Sequence, residues 1–255
     1  AFMALMVVPA WHDTHSADGP GLPAHSAPSE WTLHGHSFDE QRHSPLTRIN
    51  VATADRLGLA WTFDDFVVRG RTHRGTQATP LMHDGVLYFT GPWSVVYAID
   101  ARTGARRWTY DPEVEGAWAR RTCCDAVNRG VALWKGTIYV GTLDGWLVAL
   151  DAATGKLRWR VDTLIDRTRS YSITGAPRVA GDNIVIGNGG AELGVRGYVS
   201  AYDATTGRLS WRFYTVPGAG RDEHPEVAVA RKTWSQNARW EFGGGGTVWD
   251  SMTYD

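Results

Sequence analysis

A short pattern that recurs three times places the strongest constraint on how this chain can fold. The pattern reads Ala-x-Asp-Ala-x-Thr-Gly-x-x-x-Trp, and it begins at Ala98, Ala149 and Ala201. Its aspartates stand at positions 100, 151 and 203, so the intervals are 51 and 52 residues. A weaker copy runs from residue 49 to Trp61. A period near 50, with several short strands in each unit, is typical of a propeller or a similar repeat array.

The residue types in the repeat favour a tight turn between two strands. Asp and Thr side chains cap such a turn by bonding to the backbone, and Gly accepts a positive φ. The Trp at a fixed distance can pack on the neighbouring unit while its indole N–H binds a backbone carbonyl. A further strand precedes each turn, so each unit holds about four strands, as a propeller blade does. These upstream strands are residues 86–90, 137–141 and 183–187.

The sequence therefore predicts an all-β protein with the β-propeller fold. Three complete blades and parts of two others account for residues 30–255, and we expect no helix of useful length and no second domain. Each blade buries its faces on two neighbours, so a ring that is cut open exposes two faces. A stable closed ring needs more blades than this chain carries.

Composition excludes several classes of protein. Lys and Arg total 26 against 27 Asp and Glu, which gives a formal net charge of −1. The basic excess expected of a nucleic-acid binder or of a polybasic membrane anchor is therefore missing. No apolar run approaches the roughly 20 residues of a membrane span. The hydrophobic fraction of 43% is that of a globular protein and not of a disordered chain.

Both ends of the sequence indicate a fragment of a longer chain. Residues 1–10 are apolar, and Val8-Pro9-Ala10 has the small residues that a signal peptidase prefers. Because a basic n-region is missing, we interpret this segment as the rest of a truncated signal peptide, with an ordinary apolar strand as the alternative. Residues 11–29 have a linker composition, and residues 247–255 are similar to a strand that has just begun. We thus divide the chain into 1–29, residual signal peptide and linker, and 30–255, a partial propeller.

The repeat resembles the tryptophan-docking motif of the quinoprotein alcohol dehydrogenases, which use pyrroloquinoline quinone (PQQ). The resemblance covers residues 30–255 and implies about the first half of an eight-bladed propeller. Residues 249–254 are most similar to the quinohaemoprotein subgroup, which carries an extra cytochrome c domain and hence haem c in its C-terminal region. Further blocks that resemble the family lie at residues 30–50, 91–97, 123–130, 173–177, 187–197 and 243–250.

Two adjacent cysteines, Cys123 and Cys124, allow two interpretations. Ordinary disulfides hold Cα atoms about 4.4–6.8 Å apart, whereas chain neighbours lie about 3.8 Å apart, so a bridge between them is strained. Buried free thiols are the alternative. The resemblance implies that the bridge forms and packs on one face of PQQ, and it implies an oxidising compartment. It places the indole of Trp249 on the opposite face of the cofactor.

Several polar groups match positions that bind PQQ in the family. The resemblance implies that Arg129 binds the ortho-quinone oxygens, for which a planar, permanently charged guanidinium is suited. It also implies that the glycine run before Thr247 lets the backbone approach the cofactor. PQQ is a tricarboxylate, and backbone N–H groups at Gly-Gly segments bind anions. The groups assigned to its carboxylates and carbonyls are Thr174, Thr247 and the N–H groups of Gly190 and Ala191.

The resemblance also implies a metal ligand and contains one departure. Glu192 matches a ligand of calcium, which takes six to eight oxygen ligands. The other ligands, an Asn and the catalytic Asp, are expected after Asp255. Gln77 stands where the family usually has Glu facing the cofactor, which keeps a hydrogen bond but loses a charge. The nine histidines show no metal-ligand spacing; His34, His36 and His43 are expected to be structural or exposed.

The function that the resemblance implies is oxidation of a primary alcohol to an aldehyde, with electrons passed to a cytochrome c. The resemblance further implies that calcium, or a lanthanide in its place, polarises the quinone and that the protein is periplasmic. The alternatives are a sugar or polyol dehydrogenase with the same quinone and a non-catalytic propeller used as an envelope scaffold. The scaffold does not require Cys123, Arg129 or Glu192, so their joint presence favours the enzyme. The 255 residues alone are expected to show no turnover because the base is missing.

Overall fold

The computed structural model describes residues 27–70, 75–219, 224–250 and 252–254. It contains three four-stranded antiparallel sheets, each built from strands that are consecutive in the chain. Each sheet is one propeller blade, which confirms the predicted fold. The first blade holds β1 (Leu81–His83), β2 (Val86–Thr90), β3 (Val96–Asp100) and β4 (Arg106–Tyr110). The second holds β5 (Ala132–Trp134), β6 (Thr137–Gly141), β7 (Trp146–Asp151) and β8 (Leu157–Asp162). The third holds β9 (Arg178–Ala180), β10 (Asn183–Gly187), β11 (Tyr198–Asp203) and β12 (Leu209–Tyr214).

The expectations for the ends of the chain have mixed outcomes. The proposed signal peptide and most of the linker fall outside the described residues. Thr247 begins no strand: the adjoining residues pack against the backbone at Gly187 and Gly175 instead of pairing in a sheet. The expectation that residues 247–255 start a strand is therefore wrong for the described part of that segment.

Helical structure is limited, as expected, but it is not absent. One α-helix, α1 (Pro225–Arg231), follows the third blade. The described residues contain no helix that is long and apolar enough to cross a membrane. Five 3-10 helices lie in connections: Ala54–Arg56, Pro92–Ser94, Gly116–Arg121, Ala191–Leu193 and Trp240–Phe242.

The repeat forms the turn between the third and fourth strands of each blade. In the first blade, Oδ1 of Asp100 accepts bonds from the N–H groups of Arg102 and Thr103 and from the Thr103 hydroxyl, at 3.0–3.1 Å. Gly104 completes the turn with φ +73°. The pKa of Asp100 is lowered to about 2, chiefly by its bond with Arg107 and then by Thr103. The predicted side-chain capping and positive φ are thus confirmed.

Two of the three repeat tryptophans bind the turn of the next unit, whereas Trp211 in the third blade is 44% exposed. The indole N–H of Trp108 donates to the carbonyl of Ala152 at 3.0 Å, and its ring covers Gly155, where an added Cβ would lie 2.7 Å away. Trp159 makes the same contacts with Ala204 and Gly207. The docking therefore links each blade to the next one through a large apolar side chain and one hydrogen bond.

The weaker copy docks in the same way although its own turn differs. Trp61 donates to the carbonyl of Ala101 at 3.2 Å and covers Gly104. Its turn lacks the Thr-Gly pair, and Asn50 instead caps residues that lead into the 3-10 helix Ala54–Arg56. The docking geometry thus depends on the Trp and on the turn that receives it.

The apolar core lies between neighbouring blades. One cluster joins the first blade to the second through Tyr88, Val96, Ile138 and Val148, and another joins the second to the third through Tyr139, Leu147 and Ile184. Two buried tyrosines add hydrogen bonds between neighbouring blades: the hydroxyl of Tyr88 donates to the Ala152 carbonyl, and that of Tyr139 donates to the Ala204 carbonyl.

Gly136 and Gly155 have the same φ of +70°, so comparing alanine substitutions at the two positions distinguishes the effect of the Trp108 contact from that of backbone strain. An added methyl group at Gly136 meets nothing within 4 Å, whereas at Gly155 it meets the Trp108 ring. We expect Gly136→Ala to lower the free energy of unfolding by about 1 kcal/mol. Gly155→Ala should lower it by about 2–4 kcal/mol, because the overlap adds to the strain. Urea unfolding measures both, and equal losses would contradict the docking role of Trp108.

Candidate cofactor site

The segments that precede the first strand of each blade form a ladder across the three blades. The N–H of Thr79 donates to the carbonyl of Arg129 at 3.2 Å, and the N–H of Arg129 donates to the carbonyl of Thr174 at 3.0 Å. These residues stand shortly before β1, β5 and β9. Residues that lie about 45–50 positions apart in the chain are thereby brought together, as a propeller places equivalent positions side by side.

A buried amide fixes the loop that leads into Arg129. Asn128 donates to the Ser94 hydroxyl at 3.0 Å and to the Gly141 carbonyl at 2.8 Å. Its oxygen accepts from the Thr90 hydroxyl and from the Gly130 N–H, both at 3.0 Å. The amide is only 2% exposed and its bonds are satisfied on both sides, so it holds the loop in one conformation.

Arg129, Thr174 and Trp249 meet at one point. The Arg129 guanidinium carbon lies 4.7 Å from the centroid of the Trp249 ring, and Nη1 donates to the Thr174 carbonyl at 3.2 Å. The backbone of Trp249 packs on Gly175, and its Cβ on Gly189. Trp249 is 45% exposed, so it is not fully covered, and a permanent cation lies over its ring. An aromatic ring and a guanidinium together suit a flat, anionic aromatic ligand.

The adjacent cysteines form a disulfide. Cys123 and Cys124 are bridged, with their Cα atoms 3.7 Å apart, so the alternative of two free thiols is wrong. The bridge follows the 3-10 helix Gly116–Arg121 and precedes the loop that Asn128 fixes. Its packing on a cofactor stays a prediction.

The loop after β10 offers backbone donors and one carboxylate. Gly190 has φ +105°, and among the described residues the N–H groups of Gly190 and Ala191 donate to no protein acceptor. Glu192 is exposed at the start of the helix Ala191–Leu193. In the part of the chain that the structure describes, no group of three or more His, Cys, Asp or Glu side chains could hold a metal ion. That Glu192 binds a metal stays a prediction.

The glycine run has a different visible role from the expected one. Gly243–Gly246 all have positive φ, and close approach occurs between backbones, with Gly243 on Gly194 and Gly246 on Gly197. The run lets this segment lie on the loop after β10 and carries Trp249 to its place. Thr247 is half-buried and Gln77 is exposed, two residues before Thr79. That either residue contacts a cofactor stays a prediction.

Two residues that shape the site, Asn128 and Arg169, were not predicted to do so from the sequence. Asn128 lies within one of the blocks that resemble the family, but nothing in the pattern reveals its bonds to Thr90, Ser94 and Gly141, which are 13 to 38 positions away. Arg169 donates to the carbonyls of Gly194, Glu241 and Phe242 and thus clamps the glycine segment. Its partners are 25 to 73 positions away, so only the folded chain reveals the contact.

The histidines behave as expected. His34 and His36 lie inside the N-terminal segment, with His36 only 7% exposed, while His43 is exposed. Burial, followed by the charges of Arg178 and Arg42, lowers the pKa of His34 to about 4.

The depressed pKa of His34 makes stability depend on pH. Between the ordinary value of 6.5 and about 4, the unfolded chain binds a proton at this position and the folded chain does not. The free energy of unfolding should therefore fall as the pH falls through this window. His34→Gln should show a shallower decline when urea unfolding is measured from pH 7 to pH 4. An identical slope in both proteins would contradict the assignment.

Removal of the buried amide should be costly. Asn128→Ala leaves buried groups of Ser94, Thr90 and Gly141 without their partner, so we expect a loss of about 3 kcal/mol in the free energy of unfolding. The control is Asn50→Ala, which removes an exposed amide that also makes hydrogen bonds and should cost less than about 1 kcal/mol. Comparable losses measured by urea unfolding would count against the bonding network of Asn128.

The comparisons with known proteins define the class. Residues 31–255 match the PQQ family, described as the glucose/ethanol/alcohol dehydrogenase β-propeller domain. The chain belongs to this family.

Individual relatives narrow the class further. Quinohaemoprotein alcohol dehydrogenase ADH IIB of Pseudomonas putida is 58% identical over 231 residues, which are 90% of this chain and 33% of that protein. The 1-butanol dehydrogenase (cytochrome c) of Thauera butanivorans is 50% identical over 82% of this chain and 30% of its own length. The structure of quinohaemoprotein alcohol dehydrogenase ADH-IIG of Pseudomonas putida has a TM-score of 0.84 and 55% identity, covering 89% of this chain and 33% of the other. The chain thus spans about a third of the length of these relatives.

Proposed function

We propose that this chain forms part of a periplasmic PQQ-dependent enzyme that oxidises primary alcohols to aldehydes and passes the electrons to a cytochrome c. The observation that carries the proposal is the meeting of Arg129, Thr174 and the partly exposed Trp249 next to a loop in which two N–H groups have no protein acceptor among the described residues. Family membership and the names of the relatives, which include alcohol, quinone and haem, support the same reading.

The residues present fit a planar tricarboxylate. The partly exposed Trp249 supplies an aromatic surface, and Arg129, whose guanidinium lies over that ring, supplies a charged, forked donor. The N–H groups of Gly190 and Ala191 are without protein acceptors among the described residues, and donors of this kind bind carboxylates. Thr174 is buried, and its carbonyl accepts from both the N–H and the guanidinium of Arg129.

Each group has a separate role in this proposal. Trp249 and the Cys123–Cys124 bridge enclose the flanks of the cofactor and exclude water from it. Thr174, Thr247, Gly190 and Ala191 orient the ring by binding its carboxylates, and Gln77 contacts its edge. When bound, PQQ supplies the quinone that accepts the hydride from the alcohol carbon. Arg129 stabilises the negative charge that develops on the quinone oxygens during this transfer.

The metal centre of the proposal is shared with residues outside this chain. Glu192 is one carboxylate ligand for calcium, or for a lanthanide, and further oxygen ligands are required to fill its shell. The base that removes the hydroxyl proton is an Asp expected after Asp255. The haem is likewise expected in the region that the relatives have and this chain does not span.

The disulfide supports a location outside the cytoplasm, because such bonds persist in oxidising compartments. It also separates the alternatives. An envelope scaffold has no need of a bridged cysteine pair or of an arginine stacked on a partly exposed indole. A sugar or polyol dehydrogenase with the same quinone is less favoured, since the adjacent cysteines resemble those of the alcohol branch.

Substitution of Arg129 tests the assigned chemistry in the complete enzyme. Arg129→Lys keeps a positive charge but loses the fork, so we expect kcat for alcohol oxidation to fall by about 100-fold. The assay is PQQ- and calcium-dependent reduction of a dye with a primary alcohol. Arg208→Lys, on an exposed turn of the third blade, is the control and should keep full activity. An unchanged kcat in Arg129→Lys would contradict the role of Arg129, and no PQQ-dependent dye reduction in the wild type would refute the proposed function.

A further inference from the structure

Alternating arginine and tryptophan side chains lie beside the loop that carries the disulfide. The guanidinium carbon of Arg121 lies 4.8 Å from the ring centroid of Trp118, and that of Arg167 lies 5.8 Å from the same ring. Arg167 also lies 4.6 Å from the ring of Trp146, and Arg160 lies 4.9 Å from it. A guanidinium within about 6 Å of an indole face is attracted by the ring. We refer to these five side chains as the Arg–Trp stack.

The Arg–Trp stack joins two connections between blades. Trp118 and Arg121 belong to the 3-10 helix between β4 and β5, whereas Arg167 belongs to the connection between β8 and β9. Two hydrogen bonds cross the same junction. The indole N–H of Trp118 donates to the Tyr171 carbonyl at 3.3 Å, and Nη1 of Arg121 donates to the Arg167 carbonyl at 2.8 Å. The helix is therefore held to the segment that leads to Thr174.

Arg167 is fixed at the centre of the stack. Its Nε donates to Asp162 at 2.5 Å, and its Nη1 donates to the Asp144 carbonyl at 3.2 Å. Its Nη2 is buried and, among the described residues, has no hydrogen-bond partner. The two indole rings, Trp118 and Trp146, surround the guanidinium instead. Cation–π attraction is strongest where water is excluded, so the two indole rings stabilise the charge of the Arg167 guanidinium although Nη2 makes no hydrogen bond.

The helix that the stack holds ends only one residue before the bridge. Arg121 is its last residue and Cys123 follows Thr122, so a tilt of the helix moves the disulfide directly. On the other side of the bridge, Asn128 fixes the chain. We propose that Trp118 and Arg167 are positioning residues that hold the Cys123–Cys124 bridge in the orientation in which it covers the cofactor. The part of the proposal that concerns the cofactor rests on the proposed function.

The test compares three variants of the complete protein. Arg167→Lys keeps the charge but loses the planar face, and Trp118→Leu keeps an apolar side chain but loses the ring and its N–H. Arg160→Lys is the matched control: Arg160 stacks on Trp146 and, within the described part of the chain, makes no ring contact with Trp118. Two quantities are measured, the rate of bridge reduction by a phosphine and the dissociation constant of PQQ. Thermal unfolding monitors general destabilisation.

We expect Arg167→Lys and Trp118→Leu to be reduced about tenfold faster than the wild type, because a loosened loop opens more often. PQQ should bind several-fold more weakly to both, whereas Arg160→Lys should match the wild type in both measurements. Wild-type reduction rates in Arg167→Lys would overturn the proposal, as would equal acceleration in Arg160→Lys. If Trp118→Leu does not fold, Arg167→Lys decides alone. A wild type that binds no PQQ refutes the proposed function, while the reduction rates still decide the positioning role.

Discussion

The docking of a tryptophan on the glycine turn of the next unit is the interaction on which the rest of the structure depends. One indole covers a glycine that cannot carry a side chain, and the indole N–H binds the carbonyl beside it. Because Trp61, Trp108 and Trp159 each make this contact with the following unit, it fixes how neighbouring units pack on one another. It also explains why Asp, Thr, Gly and Trp recur together: Asp and Thr cap the turn, Gly adopts its positive φ, and Trp packs on the glycine turn of the next unit.

This constraint on the blades places the site. Equivalent segments before β1, β5 and β9 come side by side, which brings Thr79, Arg129 and Thr174 into a continuous backbone ladder. The polar network of Asn128 and the clamp of Arg169 then fix the loops that the sheets themselves do not hold. The rigid blades thus supply positions, while the connections supply the chemistry.

The sequence predicts the fold well because the repeat has local causes. Capping by Asp100 and the positive φ of Gly104 involve residues within a few positions of each other, and the period of about 50 residues predicts how many such units the chain contains. The three upstream strands have the predicted bounds for the same reason. The strand expected from Thr247 onward does not form, because that segment packs on glycines more than fifty positions earlier, and no local pattern records such a contact.

The site was predictable only in part. The bridge between Cys123 and Cys124 came from a family resemblance, since geometry alone left free thiols open. The bonds of Asn128, the clamp of Arg169 and the Arg–Trp stack join residues from different blades, so they follow from the fold and not from spacing in the sequence. The glycine run is expected to approach a ligand, which stays a prediction; the structure shows that its backbone also lies close to Gly194 and Gly197, a contact that spacing in the sequence does not reveal.

The most direct test of the central claim is a crystal structure of the complete protein grown with PQQ and calcium. The account predicts a planar ring between the indole of Trp249 and the Cys123–Cys124 bridge, with the Arg129 guanidinium at hydrogen-bond distance from its quinone oxygens. Density for PQQ at another place, or a bridge and an indole that face different cavities, would contradict it.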